Sequence, residues 1–279
     1  MNILEEIIAY KKKEVEQLKD VIPLEELKRQ CVKARATGRS SLQAFSNALK
    51  TKTSKKEPAL IAEVKKASPS KGIIRADFNH IDIAKAYKAG GATCLSVLTD
   101  EKYFQGNLKY IQEIKDVEAC CGMPLLRKDF IVDPYQIYES IYNEADCILL
   151  IVGALHATPL RDLYNISIEN DLDVLIEVHD EREMEIALDI VRTCHGMSLL
   201  GINNRDLKTF NTNLETTKNL MSSYKKDLRD KIVISESGIF TYEDIQTLMN
   251  AGVYAFLIGE SLIKQKNIEE ATKKLIGVR

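Results

Sequence analysis

The chain has 279 residues, with 39 Lys and Arg against 41 Asp and Glu, a formal charge of −2 and 45% apolar residues. A balance this close to neutral lacks the basic footprint of a nucleic-acid binder. Apolar residues recur along the whole chain with 13 Gly and 6 Pro scattered among them, which excludes extended disorder, and the longest apolar run, Cys147 to Leu155, falls short of the ~18 residues that span a bilayer.

At the N-terminus Leu4, Ile7, Ile8, Val15 and Leu18 recur at helical spacing, which predicts a helical extension over residues 1–50 packed on the remainder of the chain. The Lys11–Lys13 run falls beside that stripe and reads as a solvated helix face. Glu5 and Glu6 interrupt the apolar core that an export signal requires, so a cytoplasmic protein is expected. The polar stretch Thr51–Pro58 reads as a linker or exposed turn that opens a second unit, residues 51–279.

From there, aliphatic and β-branched runs alternate with longer amphipathic stretches. The runs are Ala59–Lys65, Thr93–Leu98, Met123–Lys128, Asp146–Val152, Asp173–Val178, Leu199–Asn203, Lys231–Glu236 and Tyr254–Ile258. Helical segments such as Ile81–Ala89, Pro134–Asn143, Pro159–Asn170, Glu181–Arg192 and Tyr242–Asn250 lie between them. Strand and helix alternating eight times over about 220 residues is the arithmetic of a (β/α)8 TIM barrel. The competing doubly wound open sheet would carry a Gly-rich dinucleotide turn after its first strand, and no G-x-G-x-x-G follows Ala59–Lys65.

The 6 cysteines contain no C-x-x-C, which fits free thiols in a reducing compartment. The 4 histidines form no H-E-x-x-H or other close pair; each reads as a loop or helix-end residue, and no protein-built metal site is expected.

Parallel strands buried on both faces should be apolar throughout, so ionisable residues at their C-terminal ends need a reason. Alternation puts Ile61, Glu63 and Lys65 on one face, and likewise pairs Leu126 with Lys128, Leu175 with Glu177, Gly201 with Asn203 and Ile234 with Glu236. Aimed at one barrel mouth, these groups are expensive as mere plugs, because ions resist desolvation; a site is the better reading. Glycines in Ser235-Glu236-Ser237-Gly238-Ile239 and Ile258-Gly259-Glu260-Ser261 follow the last two runs, where barrels commonly cradle phosphate. Lys65 could serve that phosphate or supply a proton. Lys66 has the wrong parity, and Ser68-Pro69-Ser70-Lys71-Gly72 forms a rigid turn over the mouth.

Longer strings carry a family resemblance. Glu63-Val-Lys-Lys-Ala-Ser-Pro-Ser-Lys-Gly72, Leu95-Ser-Val-Leu-Thr-Asp100, Leu126-Arg-Lys-Asp-Phe-Ile131, Asp133-Pro-Tyr-Gln136, Gly201-Ile-Asn-Asn-Arg-Asp-Leu207 and Ser235-Glu-Ser-Gly-Ile239 resemble the indole-3-glycerol phosphate synthases of tryptophan biosynthesis, from about Ser41 to Leu262. The resemblance implies ring closure of 1-(2-carboxyphenylamino)-1-deoxyribulose 5-phosphate with loss of CO2 and water, without a cofactor. It implies Lys128 as general acid, Glu177 as general base, and Lys65 as a catalytic, phosphate-facing lysine, with Glu63, Asn203 and Ser237 completing the catalytic ring. Arg205 and Ser68 fall where the anthranilate carboxylate is expected, and Phe104 and Phe130 where its ring is held. Gly238, Gly259 and the backbone of Glu260 surround phosphate, with Glu236 and Ile258 among the substrate contacts. A small phosphosugar-anthranilate molecule is thus the expected partner, with room for association with other tryptophan-pathway enzymes. Departures from the family pattern are peripheral: Asp77-Phe-Asn-His80 and Tyr142-Asn-Glu144 put local loop geometry in doubt. The alternatives are a phosphoribosylanthranilate isomerase, which would use a Cys/Asp pair, and a non-catalytic phosphosugar-binding subunit, which would not need both an acid and a base.

Overall fold

A computed structural model describes residues 3–36, 43–192, 199–206 and 211–278. Ser41 and Leu207, named in the sequence reading, and Cys194 and His195, among its cysteines and histidines, lie outside the described residues. Eight parallel strands close a barrel: β1 (Ala59–Val64), β2 (Cys94–Leu98), β3 (Leu125–Lys128), β4 (Cys147–Ile151), β5 (Asp173–Val178), β6 (Leu199–Asn203), β7 (Ile232–Glu236) and β8 (Ala255–Ile258). Consecutive strands are neighbours, and β8 returns to β1 with Ala59 opposite Ala255. Each expected run contains its strand; Asp173–Val178 and Leu199–Asn203 match in both bounds, and the others are trimmed by a residue or two at one end or both. β3 starts at Leu125 because Pro124 has no N–H to give the ladder, although its carbonyl still accepts from Leu95 at 3.0 Å.

The intervening helices start where local chemistry satisfies their first amides. Asn79 accepts from the Ile81 and Asp82 amides ahead of His80–Ala89, Asp133 caps Pro134–Tyr142 with proline in the first turn, and Thr241 and Asp244 form a capping box before Tyr242–Asn250. Their apolar faces pack on the outside of the sheet in one continuous core. Among the described residues no helix is long and apolar enough to cross a membrane.

Among the described residues, three helices precede the barrel: α1 (Ile3–Val21), α2 (Leu24–Ala36) and α3 (Ala44–Thr53). The boundary expected after residue 50 falls inside α3, and most of the expected linker is that helix's last turn and the turn after it. α3 plugs the N-terminal end of the barrel. Its Phe45 and Leu49 are fully buried against Ala59, Ile61, Leu126, Leu175 and Ile234, and Ser46 donates through both its amide and its hydroxyl to Asp173 at 2.8 Å.

α1 lies at the opposite end, and here one expectation fails. Lys12 and Lys13 are exposed, but Lys11 is only 3% exposed. Ile7, Lys11 and Val15 form one i, i+4 row, so Lys11 lies on the buried stripe rather than beside it. Its ammonium is matched by Glu14 at 2.6 Å, Asp100 at 3.1 Å and Asp129 at 3.0 Å.

Candidate active site

The C-terminal strand ends and the loops beyond them enclose a cavity of about 180 Å³. Strand alternation delivers Glu63, Lys128, Glu177, Asn203 and Glu236 into it, and all five line its wall. The loops contribute Lys65, Ser68, Arg205 and Ser237 together with Gly238 and Glu260, while Ile258 and Gly259 close the end of β8. Phe104 and Phe130 form one apolar side with ring centroids 6.0 Å apart. Every residue singled out in the sequence as a site candidate therefore borders the same space.

The charged groups form a connected set. Lys128 Nζ is 3.1 Å from Glu177 Oε2 and 3.7 Å from Glu236 Oε2. Asn203 Nδ2 donates to Glu177 Oε1 at 3.3 Å, and Lys65 pairs with Glu63. Burial alone would lower the Lys128 pKa, but the carboxylates of Glu177, Glu236 and Glu63 more than offset that and raise it, so the ammonium stays charged. Glu177 shows the mirror effect: burial favours its neutral form, and Lys128, His179 and the Asn203 hydrogen bond overcome this and hold it well below the usual carboxylate range. Glu236, only 1% exposed, goes the other way. Burial and the neighbouring Glu177 push its pKa well up, and Lys128 compensates only in part. A carboxylate held low, a carboxyl pushed high and an ammonium thus sit together, environments that drive two glutamates apart in their affinity for a proton.

Two glycines make room for this set. A Cβ at Gly201 would strike Glu236 Oε1, and one at Gly259 would strike Glu63 Oε1. The sequence pattern expects the Gly259 backbone to admit an anion; the missing side chain at Gly259 also makes room for Glu63. The turn after β7 is different: Ser237 and Gly238 both adopt positive φ, 65° and 76°. Asn204 holds this turn from below, donating to the carbonyls of Glu236 at 3.0 Å and Ser237 at 3.1 Å. A serine in this strained conformation is held by its surroundings.

Above the mouth, Ala67–Ser68 pairs antiparallel with Gly72–Ile73, so the expected turn is a small hairpin. Arg205 lies between Ser70 and Glu260, each at 3.4 Å. Among the described residues, Ser68 Oγ, Arg205 Nε and Glu236 Oε1 have no protein hydrogen-bond partner. Buried polar atoms without partners are rare, and in a cavity wall they suit a polar ligand.

Two contributors were missed in the sequence. Ile3, Leu4 and Ile7 of α1 line the cavity, extending the apolar stripe that had been assigned only to packing. His179, read as a plain loop residue, sits with Nε2 3.4 Å from Glu177 Oε1 and Nδ1 2.9 Å from Glu183. Its signal was its parity: it follows Glu177 by two positions.

The family model for indole-3-glycerol phosphate synthase matches residues 4–275, nearly the whole chain. The chain belongs to that family. Its activity is indole-3-glycerol phosphate synthesis, a carboxy-lyase step of tryptophan biosynthesis acting on a small phosphosugar-anthranilate substrate. Solved structures echo the barrel. Thiamine phosphate pyrophosphorylase from Pyrococcus furiosus superposes with a TM-score of 0.54 at 14% identity, covering 80% of this chain and 95% of that one. KGPDC from Streptococcus mutans gives 0.54 at 12% identity over 78% and 95%, and a 3-hexulose-6-phosphate synthase gives 0.57 at 10% identity over 79% and 99%. At such identities the likeness is one of fold alone.

Proposed function

We propose that the synthase reaction is run by Lys128 as the ring-closing acid and Glu177 as the base. The observation that carries this reading is the Lys128–Glu177 pair at 3.1 Å, with the lysine held charged and the glutamate held ionised inside the cavity. The aryl carbon bearing the carboxylate attacks the substrate ketone, and the ketone oxygen becomes an alkoxide. An ammonium stabilised by carboxylates gives up its proton only to a strong base, and the developing alkoxide is one. The carbon–carboxylate bond then breaks, its electrons restore the aromatic ring, and CO2 leaves. Dehydration requires protonation of the new hydroxyl and removal of a proton from the ring carbon beside nitrogen. Glu177 suits the second task. Lys65, carried by the loop after β1 four strands away around the barrel, suits the first.

Substrate binding follows from the remaining chemistry. The anthranilate ring fits against Phe104 and Phe130 and its carboxylate against Arg205 and Ser68. The Ser237–Gly238 turn and the backbone at Gly259 and Glu260 offer amides to phosphate. Glu63 and Asn203 fix the lysine and the base, while Glu236, whose surroundings favour its protonated form, borders the same lysine. We further place the protein in the cytoplasm, a reading supported by free thiols at Cys31, Cys94, Cys120, Cys121 and Cys147.

Incubation of the pure chain with 1-(2-carboxyphenylamino)-1-deoxyribulose 5-phosphate in EDTA, followed by indole fluorescence, tests the reading. Indole-3-glycerol phosphate and CO2 should form in equal amounts. Tight binding of the substrate without turnover would make the chain a binding subunit instead.

A further inference from the structure

Lys11 is a buried cation that the reaction does not use. It lies on α1, far in sequence from the strand ends, and its ammonium joins two carboxylates from different loops. Asp100, after β2, accepts with Oδ1 from the amides of Tyr103 at 2.7 Å and Phe104 at 3.3 Å, capping the short helix that carries Phe104, while its Oδ2 faces Lys11. Asp129, directly after Lys128, receives the Phe130 amide on Oδ1 at 2.8 Å, the same oxygen that pairs with Lys11. Its Oδ2 accepts from Thr99 at 2.6 Å and Arg127 at 3.1 Å. One ammonium thus ties together the anchors of both aromatic side chains. Attaching α1 to the barrel does not need a charge, since Ile7 and Val15 already bury one turn to either side, and burying ions carries a desolvation penalty. Burial would lower the Lys11 pKa, but Asp129 and Asp100 outweigh it and raise it, so the clamp stays charged.

We propose that Lys11 is a positioning residue for the aryl end of the active site, holding the Phe104 and Phe130 loops at their working separation. This rests on the assignment of Phe104 and Phe130 to the anthranilate ring. Because Lys11 touches neither the Ser237–Gly238 turn nor Gly259, its effect is confined to one end of the cavity.

The test measures competitive inhibition by anthranilate and, separately, by inorganic phosphate, together with the substrate KM and kcat, on the full-length chain and its Lys11→Met, Lys11→Arg and Phe104→Ala variants. Lys11→Met should weaken anthranilate inhibition and raise KM by on the order of tenfold, the loss of about one charge-assisted contact, while phosphate inhibition stays within about twofold. Lys11→Arg should restore most of the difference. A merely structural lysine would reduce the folded fraction and leave both inhibition constants of the remaining enzyme unchanged; that result, or an equal weakening of both, overturns the proposal. Should Lys11→Met fail to fold, Asp100→Asn keeps the capping oxygen and removes the charge, and the same split is expected. An effect of Phe104→Ala on anthranilate without one of Lys11→Met sinks the role of Lys11 alone. Unchanged anthranilate inhibition in Phe104→Ala sinks the aromatic assignment beneath it.

Discussion

At the N-terminal end of the barrel interior, Ala59, Ile61, Cys94, Leu126, Leu175, Leu199 and Ile234 close around Phe45 and Leu49 without a charge among them, whereas at the C-terminal end the same strands finish in Glu63, Lys128, Glu177, Asn203 and Glu236. The first end satisfies burial chiefly by dispersion and exclusion of water, its buried Asp173 being matched by the Ser46 amide and hydroxyl. The second satisfies it by pairing charges, and incompletely: the Glu236 pKa is pushed well up and its Oε1 has no protein partner. A few residues along each strand separate the two solutions. The base of the barrel supplies stability, and the mouth costs stability in exchange for groups that can move protons.

The largest expected effect is at the mouth. Glu177→Gln keeps the shape and removes the base, so turnover should fall by about a thousandfold, and the urea midpoint should fall as well because the buried Lys128 ammonium loses its nearest carboxylate. In rapid-quench experiments its CO2 should precede indole, because decarboxylation does not need this base. At the other end, Phe45→Ala opens a cavity beneath the barrel and should cost about 3–5 kcal/mol in urea unfolding, with kcat of the folded enzyme unchanged at 25 °C. A large loss of kcat in Phe45→Ala would show that the two ends are not separable. The smallest effect concerns Glu236. The folded chain retains its proton at pH values where an unfolded glutamate has lost it, so unfolding releases a proton. This contribution to stability is fully present below the unfolded value and is lost as pH rises toward the raised folded value. Glu236→Gln removes it. Urea midpoints at pH 5 and pH 7 should therefore diverge less in the variant than in the wild type; equal divergence would mean that Glu236 is ionised in the fold.

The two ends also differ in how openly the sequence declares them. At the mouth, parity along each strand was enough to gather Glu63, Lys128, Glu177, Asn203 and Glu236, because a period of two is local and survives folding. The base was only half legible. Its strand residues were part of the apolar runs, but Phe45 and Leu49 reach them through α3, a contact between distant segments that no local period encodes. Lys11 was hidden for the same reason: three consecutive lysines look like a wet face until Asp100 and Asp129 arrive from the loops after β2 and β3. The second demand on Gly259 was hidden likewise, because the side chain it spares, Glu63, lies on the strand that closes the barrel from the other end of the chain.

The central claim is that Lys128 delivers the proton that permits ring closure, and a single-turnover rapid-quench measurement of CO2 and indole product on Lys128→Met tests it most directly. Without the ammonium the alkoxide cannot be captured, so substrate should bind and neither product should appear on the wild-type timescale. CO2 released at a near wild-type rate would contradict this and transfer the ring-closing role to Lys65.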